Sequence, residues 1–363
     1  MNTGHDWRHV AALASLPGIS PQRLRRMLDS GAAADTWQRM CAGEHVVAGV
    51  DPGLWSLWRA QSDGFVEHTA TALVGHGVRV AWRGHPDYPA VLLPDPAAPP
   101  VLFMRGDPRA VAHRRTGIVG TRAATRNGRF FARRLGADLA MNGVAVVSGL
   151  ARGIDIESHT GVLAVDGAPP IAVVASGLDV VYPQEHARSW GLIGERGLLL
   201  SESPLGTPAE SRRFPMRNRI IAGLSEVLVV VESRARGGSM ITVREAEKRG
   251  ITVMAVPGPP ATPPCEGTNA LLVDGCAPVT CVEDVLAVLG IDHSRLHSAP
   301  DHRTPPVGDD ALVLSTMGRA PRTIDEIALL LGRDVVETAV LLGRLEQAEW
   351  VAQSAGWWEA LVG

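Results

Sequence analysis

Residues 212–225 read Arg-Arg-Phe-Pro-Met-Arg-Asn-Arg-Ile-Ile-Ala-Gly-Leu-Ser, which places four arginines and no acid around one helix start. Pro215 suits a first helical position, and Ile220, Ile221 and Leu224 recur on one face at helical spacing. The arginines therefore fall at or before an N-terminal turn, where the helix dipole favours anions and disfavours each cation by about 0.3–1 kcal/mol. Arg217 shares a meridian with Ile221 and Leu224, so its side chain is predicted to run along the buried face. A partly buried cation needs an anion. Glu202 and Glu210 are internal candidates; a ligand phosphate is the other, because helix N-termini are ready-made phosphate sites. If the ligand reading holds, Arg217→Ala and Arg219→Ala should weaken binding and leave the fold intact or slightly steadier.

Chemistry of the same kind collects at the ends of the apolar runs. Gly120-Thr121-Arg122 follows one run, Ser148-Gly149-Leu150-Ala151-Arg152-Gly153-Ile154-Asp155 the next, and Ser201-Glu202-Ser203 and Arg236-Gly237-Gly238-Ser239 later ones. Gly149 and Gly153 would let backbone amides approach an anion, with Ser148 adding a donor. The Rossmann fingerprint G-x-G-x-x-G is missing, and the second run ends in Ser148 with no acid to hold a ribose, which argues against dinucleotide binding. Asp155 and His159, four apart on one helical face, can be read as an acid–base dyad. A helix cap and a histidine packed on the sheet edge is the favoured reading. No nucleophile elbow or Ser-His-Asp arrangement is present.

These loops need a scaffold of alternating strands and helices. Strand-like runs recur at residues 78–82, 101–104, 117–119, 144–147, 171–175, 198–200, 227–231 and 253–256, with helical segments between them such as 128–141 and 240–249. Continuous Val/Ile/Leu runs of this kind indicate an extended, doubly wound, mostly parallel Rossmann-type sheet over residues 76–295. Ligands of such sheets lie outside the carboxyl ends of the strands. Residues 1–75 read as a small helical domain, in which Leu16-Pro17-Gly18-Ile19-Ser20-Pro21 resembles the hairpin of a helix-hairpin-helix module; a tight turn between two packed helices fits equally. Residues 296–310 form a Pro-rich linker. Residues 311–363 read as three helices and a hairpin wing, a winged helix.

The net charge of -3 alone speaks against a nucleic-acid partner, but the charges are segregated. Arg122, Arg126, Arg129, Arg133 and Arg134 form a second acid-free run, whereas the segment from residue 309 onward holds nine acids against four arginines. Its third helix carries Asp334, Glu337 and Glu346, which repel a phosphate backbone and favour a protein contact there. Lys248 is the only lysine, so nearly every cation is a guanidinium able to grip phosphate bidentately. Cys41, Cys265, Cys276 and Cys281 show no metal-ligand spacing. With neither a signal peptide nor a membrane span in the opening residues, a cytoplasmic protein without metal or cofactor is expected.

In order and spacing these motifs, together with Gly177-Leu178-Asp179, Tyr182-Pro183, Val256-Pro257-Gly258 and Gly267-Thr268-Asn269, resemble the DNA-processing protein A (DprA/Smf) family across residues 80–290. The resemblance implies sequence-independent binding of single-stranded DNA, a homodimer, and help in loading the recombinase RecA during natural transformation or homologous recombination, without catalytic turnover. By position it assigns DNA contacts to Arg122, Ser148, Gly149, Arg152, Gly153, Arg212, Arg213, Phe214, Arg217, Asn218, Arg219, Gly238 and Ser239. Guanidinia, loop amides and one stacking ring are what sequence-blind strand binding requires. The rival reading is a phosphoribohydrolase-like Rossmann enzyme, of whose P-G-G-x-G-T-x-x-E motif residues 237–245 are an approximate echo ending in Glu245.

Overall fold

The computed structural model describes residues 6–292, 301, 303–318, 320–354 and 356–361. It opens with five helices, α1 (Trp7–Ala14), α2 (Pro21–Asp29), α3 (Ala33–Cys41), α4 (Pro52–Arg59) and α5 (Asp63–Gly75). The strand and helix alternation follows as β1 (Arg79–Trp82), β2 (Val101–Gly106), β3 (Arg114–Val119), α6 (Arg126–Met141), β4 (Val144–Ser148), α7 (Ile154–Leu163), β5 (Ile171–Val174), α8 (Ala187–Arg196), β6 (Leu198–Ser201), α9 (Arg213–Leu224), β7 (Val227–Val230), α10 (Ser239–Glu247), β8 (Thr252–Ala255), α11 (Glu266–Val273), β9 (Ala277–Pro278) and α12 (Val282–Val288).

These strands form one sheet of nine in the order β1-β2-β6-β5-β4-β3-β7-β8-β9. From β6 to β9 every neighbouring pair is parallel, and β2 and β1 extend the β6 edge in antiparallel fashion. The apolar runs become strands because Val, Ile and Leu pack on both faces of a covered sheet. Their side chains fill separate cores on the two faces, such as Val147, Val173, Leu200 and Val230 in one and Ile118, Val146 and Val229 in another. The chain leaves β3 toward β4, β5 and β6, then returns to place β7 on the other side of β3. The crevice between the carboxyl ends of β3 and β7 is therefore the topological switch point.

The N-terminal helices share their core with the sheet: Trp37, Trp58 and Leu13 belong to one cluster with Val80, Phe103, Val174 and Leu199. The turn between α1 and α2 is tight, with Gly18 at φ +65°, Ser20 capping α2 and the Trp58 indole donating to the Pro17 carbonyl. Its Ile19, Ser20 and Pro21 line a cleft whose far wall is Glu202, Ser203, Arg213, Met216 and Arg217.

The C-terminal unit consists of α13 (Asp309–Met317), β10 (Arg322–Thr323), α14 (Ile324–Leu331), α15 (Val335–Gln347), β11 (Val351–Ser354) and β12 (Trp357–Ala360). Three helices precede a hairpin, and β10 joins the hairpin in a small sheet ordered β10-β12-β11. Its core, built on Val313, Met317, Ile327, Leu342, Leu345 and Trp358, draws no residue from the large sheet. Of the linker expected at 296–310, residues 296–300 and 302 lie outside the described residues.

Candidate nucleic-acid interface

Helix α9 begins at Arg213, so Pro215 is its third residue rather than its first. The shift is physically neutral, because every amide of the first turn lacks an intrahelical acceptor and proline forfeits nothing there. Arg217 is buried as its meridian predicted, with only 6% of its surface exposed. Its partners are neither Glu202 nor Glu210. One terminal nitrogen donates to the Gly149 carbonyl at 2.7 Å and also to the Val173 carbonyl, and Nε donates to Asn218 Oδ1 at 3.2 Å. Its countercharge is the buried Asp155. Burial pulls the guanidinium down to about 10, with Asp155 opposing and the like charge of Arg122 adding to the fall, so it stays cationic at neutral pH.

Asp155 completes this pin. The N-cap of α7 is Gly153, so Asp155 is not the cap and sits one residue inside the helix. Burial pushes its carboxyl up; the Arg217 charge, the Ala151 and Gly149 amides and Arg122 pull it back. His159 lies wholly buried under α7 against central strand β4, not at the sheet edge, and burial drives its imidazole down to about 3, that is, neutral. The Asp155 carboxylate is thus directed to loop amides and a guanidinium, which is a structural arrangement and not an acid–base dyad.

The strand-end hydroxyls are also engaged internally. Ser148 Oγ donates to the Ile118 carbonyl at 2.6 Å and Ser239 Oγ to Ser233 Oγ at 2.8 Å, both buried, so neither presents a free donor. Gly149 and Gly153 are required for close approach. A Cβ on Gly149 would lie 2.5 Å from the Arg217 guanidinium, and one on Gly153, at φ +76°, would lie 2.2 Å from the Thr121 carbonyl. Gly238 is exposed at the N-cap of α10. Arg219 forms an ion pair with Glu202 at 2.5 Å, both side chains under a fifth exposed, and also donates to the Ala97 carbonyl; it does not face the Arg122 cluster. Arg212 and Arg213 share Glu210, Arg213 also reaching Ser203 Oγ at 3.4 Å, and the exposed Arg152 pairs with Glu185.

Arg122 and Phe214 come together from 92 residues apart: the Arg122 guanidinium lies 4.7 Å over the Phe214 ring. The half-exposed Tyr182 ring stands 5.6 Å from Phe214, tilted by 48°. Phe214 is half-buried and belongs to none of the apolar cores of the described residues. The result is a platform of two rings and a guanidinium beside the loop that Arg217 and Asp155 hold. In the sequence Tyr182 stands out only with Pro183 as part of a family motif; an aromatic directly after the apolar Val180-Val181 is the signal available for it.

At the switch point the chain supplies its own anion. The buried Glu232, just beyond β7, accepts from the Thr125 amide at 2.9 Å and from Thr125 Oγ1 at 2.5 Å, filling the N-terminal end of α6. A Cβ on Gly128 would meet the Glu232 carboxylate at 2.3 Å, so any larger residue there would displace that carboxylate from the helix end. The place where a Rossmann fold holds a dinucleotide phosphate is thereby occupied by a side chain, which gives the missing fingerprint a physical counterpart. Glu245 of the hydrolase-like echo is likewise committed: although burial opposes it, hydrogen bonds from Lys248 and Arg249 hold its carboxyl below the usual range.

Residues 79–290 match the family model described as DNA recombination-mediator protein A. The chain is 38% identical to Protein Smf of Escherichia coli K12 over 276 residues, 74% of each chain. Its fold superposes on the X-ray structure of DNA processing protein A from Streptococcus pneumoniae with a TM-score of 0.69 at 29% identity, covering 78% of this chain and 98% of that one. A DNA processing protein A from Helicobacter pylori, whose structure is described in terms of its single-stranded DNA binding mode, superposes with a TM-score of 0.53 at 26% identity over 58% of this chain and 95% of that one. With more than half its length matched to that family and its fold superposing on a DNA processing protein A, the chain belongs to the DNA recombination-mediator protein A family, the DprA/Smf proteins.

Proposed function

We propose that the chain binds single-stranded DNA without sequence preference and delivers it to the recombinase RecA in transformation or homologous recombination, acting as a cytoplasmic homodimer and without catalytic turnover. The observation that carries the binding reading is the platform: a guanidinium 4.7 Å above a phenylalanine ring that no core claims, with a second ring beside it. Stacking on a ring and charge on the backbone together suit any base. Family membership supports the recombination role, and among the described residues no helix is long and apolar enough to cross a membrane.

Arg122, the surface-paired Arg152, Arg212 and Arg213, and the exposed Arg234 and Arg236 beyond β7 are the cations that a strand can recruit; exposed ion pairs of the first kind exchange for phosphate at little expense. With about four phosphates engaged, log K for an oligothymidylate is expected to fall with log[salt] at a slope near -3, from about -0.7 per contact. A slope near zero in a fluorescence titration would remove the phosphate reading.

Phe214→Ala is expected to weaken binding by about 1–3 kcal/mol with the salt slope unchanged, because stacking releases no counterions. Its melting temperature should move little, the ring lying outside the cores. A large fall in melting temperature with intact binding by the folded fraction would make Phe214 a packing residue instead.

A further inference from the structure

The acidic C-terminal unit lies against the second arginine run, two features that are distant in sequence. Arg126 of α6 pairs with Glu346 at 2.7 Å, Arg133, held by Glu157 of α7 at 2.8 Å, also reaches Glu349 at 3.4 Å, and the Asn127 amide donates to Glu359. One linker residue fastens the contact: Arg303 is sandwiched between the Phe130 ring of α6 at 4.9 Å and the Trp350 ring at 3.8 Å, and it donates to the Glu349 and Leu361 carbonyls. The unit has its own apolar core, and no α6 residue enters it. Docking is therefore mainly a matter of charge and one cation–π sandwich, interactions that salt screens and a competing polyanion can replace.

The α6 face left beneath it has the composition of a strand-binding surface. Arg126, Arg129 and Arg133 follow one another at helical spacing with Phe130 among them, and Arg129 is exposed. The face continues directly from Arg122 of the platform, four residues and so at most about 14 Å of chain from Arg126.

We propose that the α6 face from Arg126 to Arg133 is a second phosphate-binding surface for a nucleic-acid strand, and that Glu346, Glu349 and Glu359 occupy it as carboxylate substitutes for phosphate until a strand displaces them. This rests on the single-strand reading above. The acids that would repel DNA from the C-terminal unit itself serve, in this arrangement, to cover a basic face elsewhere.

The test uses the full chain, an oligothymidylate and a salt series. Glu346→Gln with Glu349→Gln should tighten binding about three- to tenfold at low salt and steepen the slope by roughly 1.4, two further contacts at about 0.7 each. Arg303→Ala should also tighten binding, although it removes a cation, because it releases the fastening. Adding Arg126→Ala and Arg133→Ala should abolish both gains. Asp325→Asn with Glu337→Gln makes the same change in net charge on residues for which no contact to α6 is seen, and should leave binding unchanged.

The proposal is overturned if the control pair gives the same gain, if the gain survives loss of Arg126 and Arg133, or if wild type binds and neither releasing variant binds more tightly. Binding by the releasing variants alone would support it strongly. If neither wild type nor these variants binds a strand, both this inference and the single-strand reading fall.

Discussion

Arg217→Ala is expected to lower the unfolding free energy by about 3–5 kcal/mol, the usual loss when one member of a buried charge pair is removed. The variant leaves the buried Asp155 without its guanidinium and takes away the donor shared by the Gly149 and Val173 carbonyls. This reverses the expectation that removing a cation from a helix start would be harmless, because the dipole term of about 0.3–1 kcal/mol is several-fold smaller than the burial term. Urea denaturation at neutral pH reads the difference. Adding Asp155→Asn should recover part of the loss, since an amide needs no countercharge. A loss under about 1 kcal/mol would show that the guanidinium is not holding the loop and is free to serve a ligand.

The sheet was legible in the sequence because its signal is local: runs such as Val144 to Val147 and Val227 to Val230 are continuous where both faces are covered, and each became a strand. The short β9 at Ala277–Pro278 carries no such run and was missed. The arginine cluster was legible only in part. Burial of Arg217 followed from helical spacing, but its partners are main-chain oxygens 68 and 44 residues away, and a carbonyl has no sequence signature. Glu202 was named for the wrong arginine, since spacing along the chain cannot tell which of Arg217 and Arg219 turns toward it. The same limit applied to the acidic C-terminal segment and the arginines of α6, each recognised separately and joined only by tertiary placement.

Arg219→Ala is the companion case, with a pH signature that Arg217 lacks. Glu202 is nearly enclosed, and burial holds its carboxyl above the ordinary glutamate range even with the Arg219 charge and hydrogen bond, and then Arg25 and Arg213, pulling it down. Without Arg219 the carboxyl must rise further. A group whose folded pKa is raised contributes stability below its unfolded value, near about 4.3 for glutamate, and loses it as pH climbs through the folded value. The deficit against wild type is therefore expected to be about 3–5 kcal/mol at pH 7 and to shrink as the pH is lowered toward that unfolded value, where the buried carboxyl is neutral. Glu202→Gln in the Arg219→Ala background should restore much of the stability at pH 7 and flatten the pH dependence. A deficit that stays constant from pH 7 to pH 4.5, or that the glutamine leaves untouched, would mean that Arg219 acts through packing or through the Ala97 carbonyl rather than by neutralising Glu202.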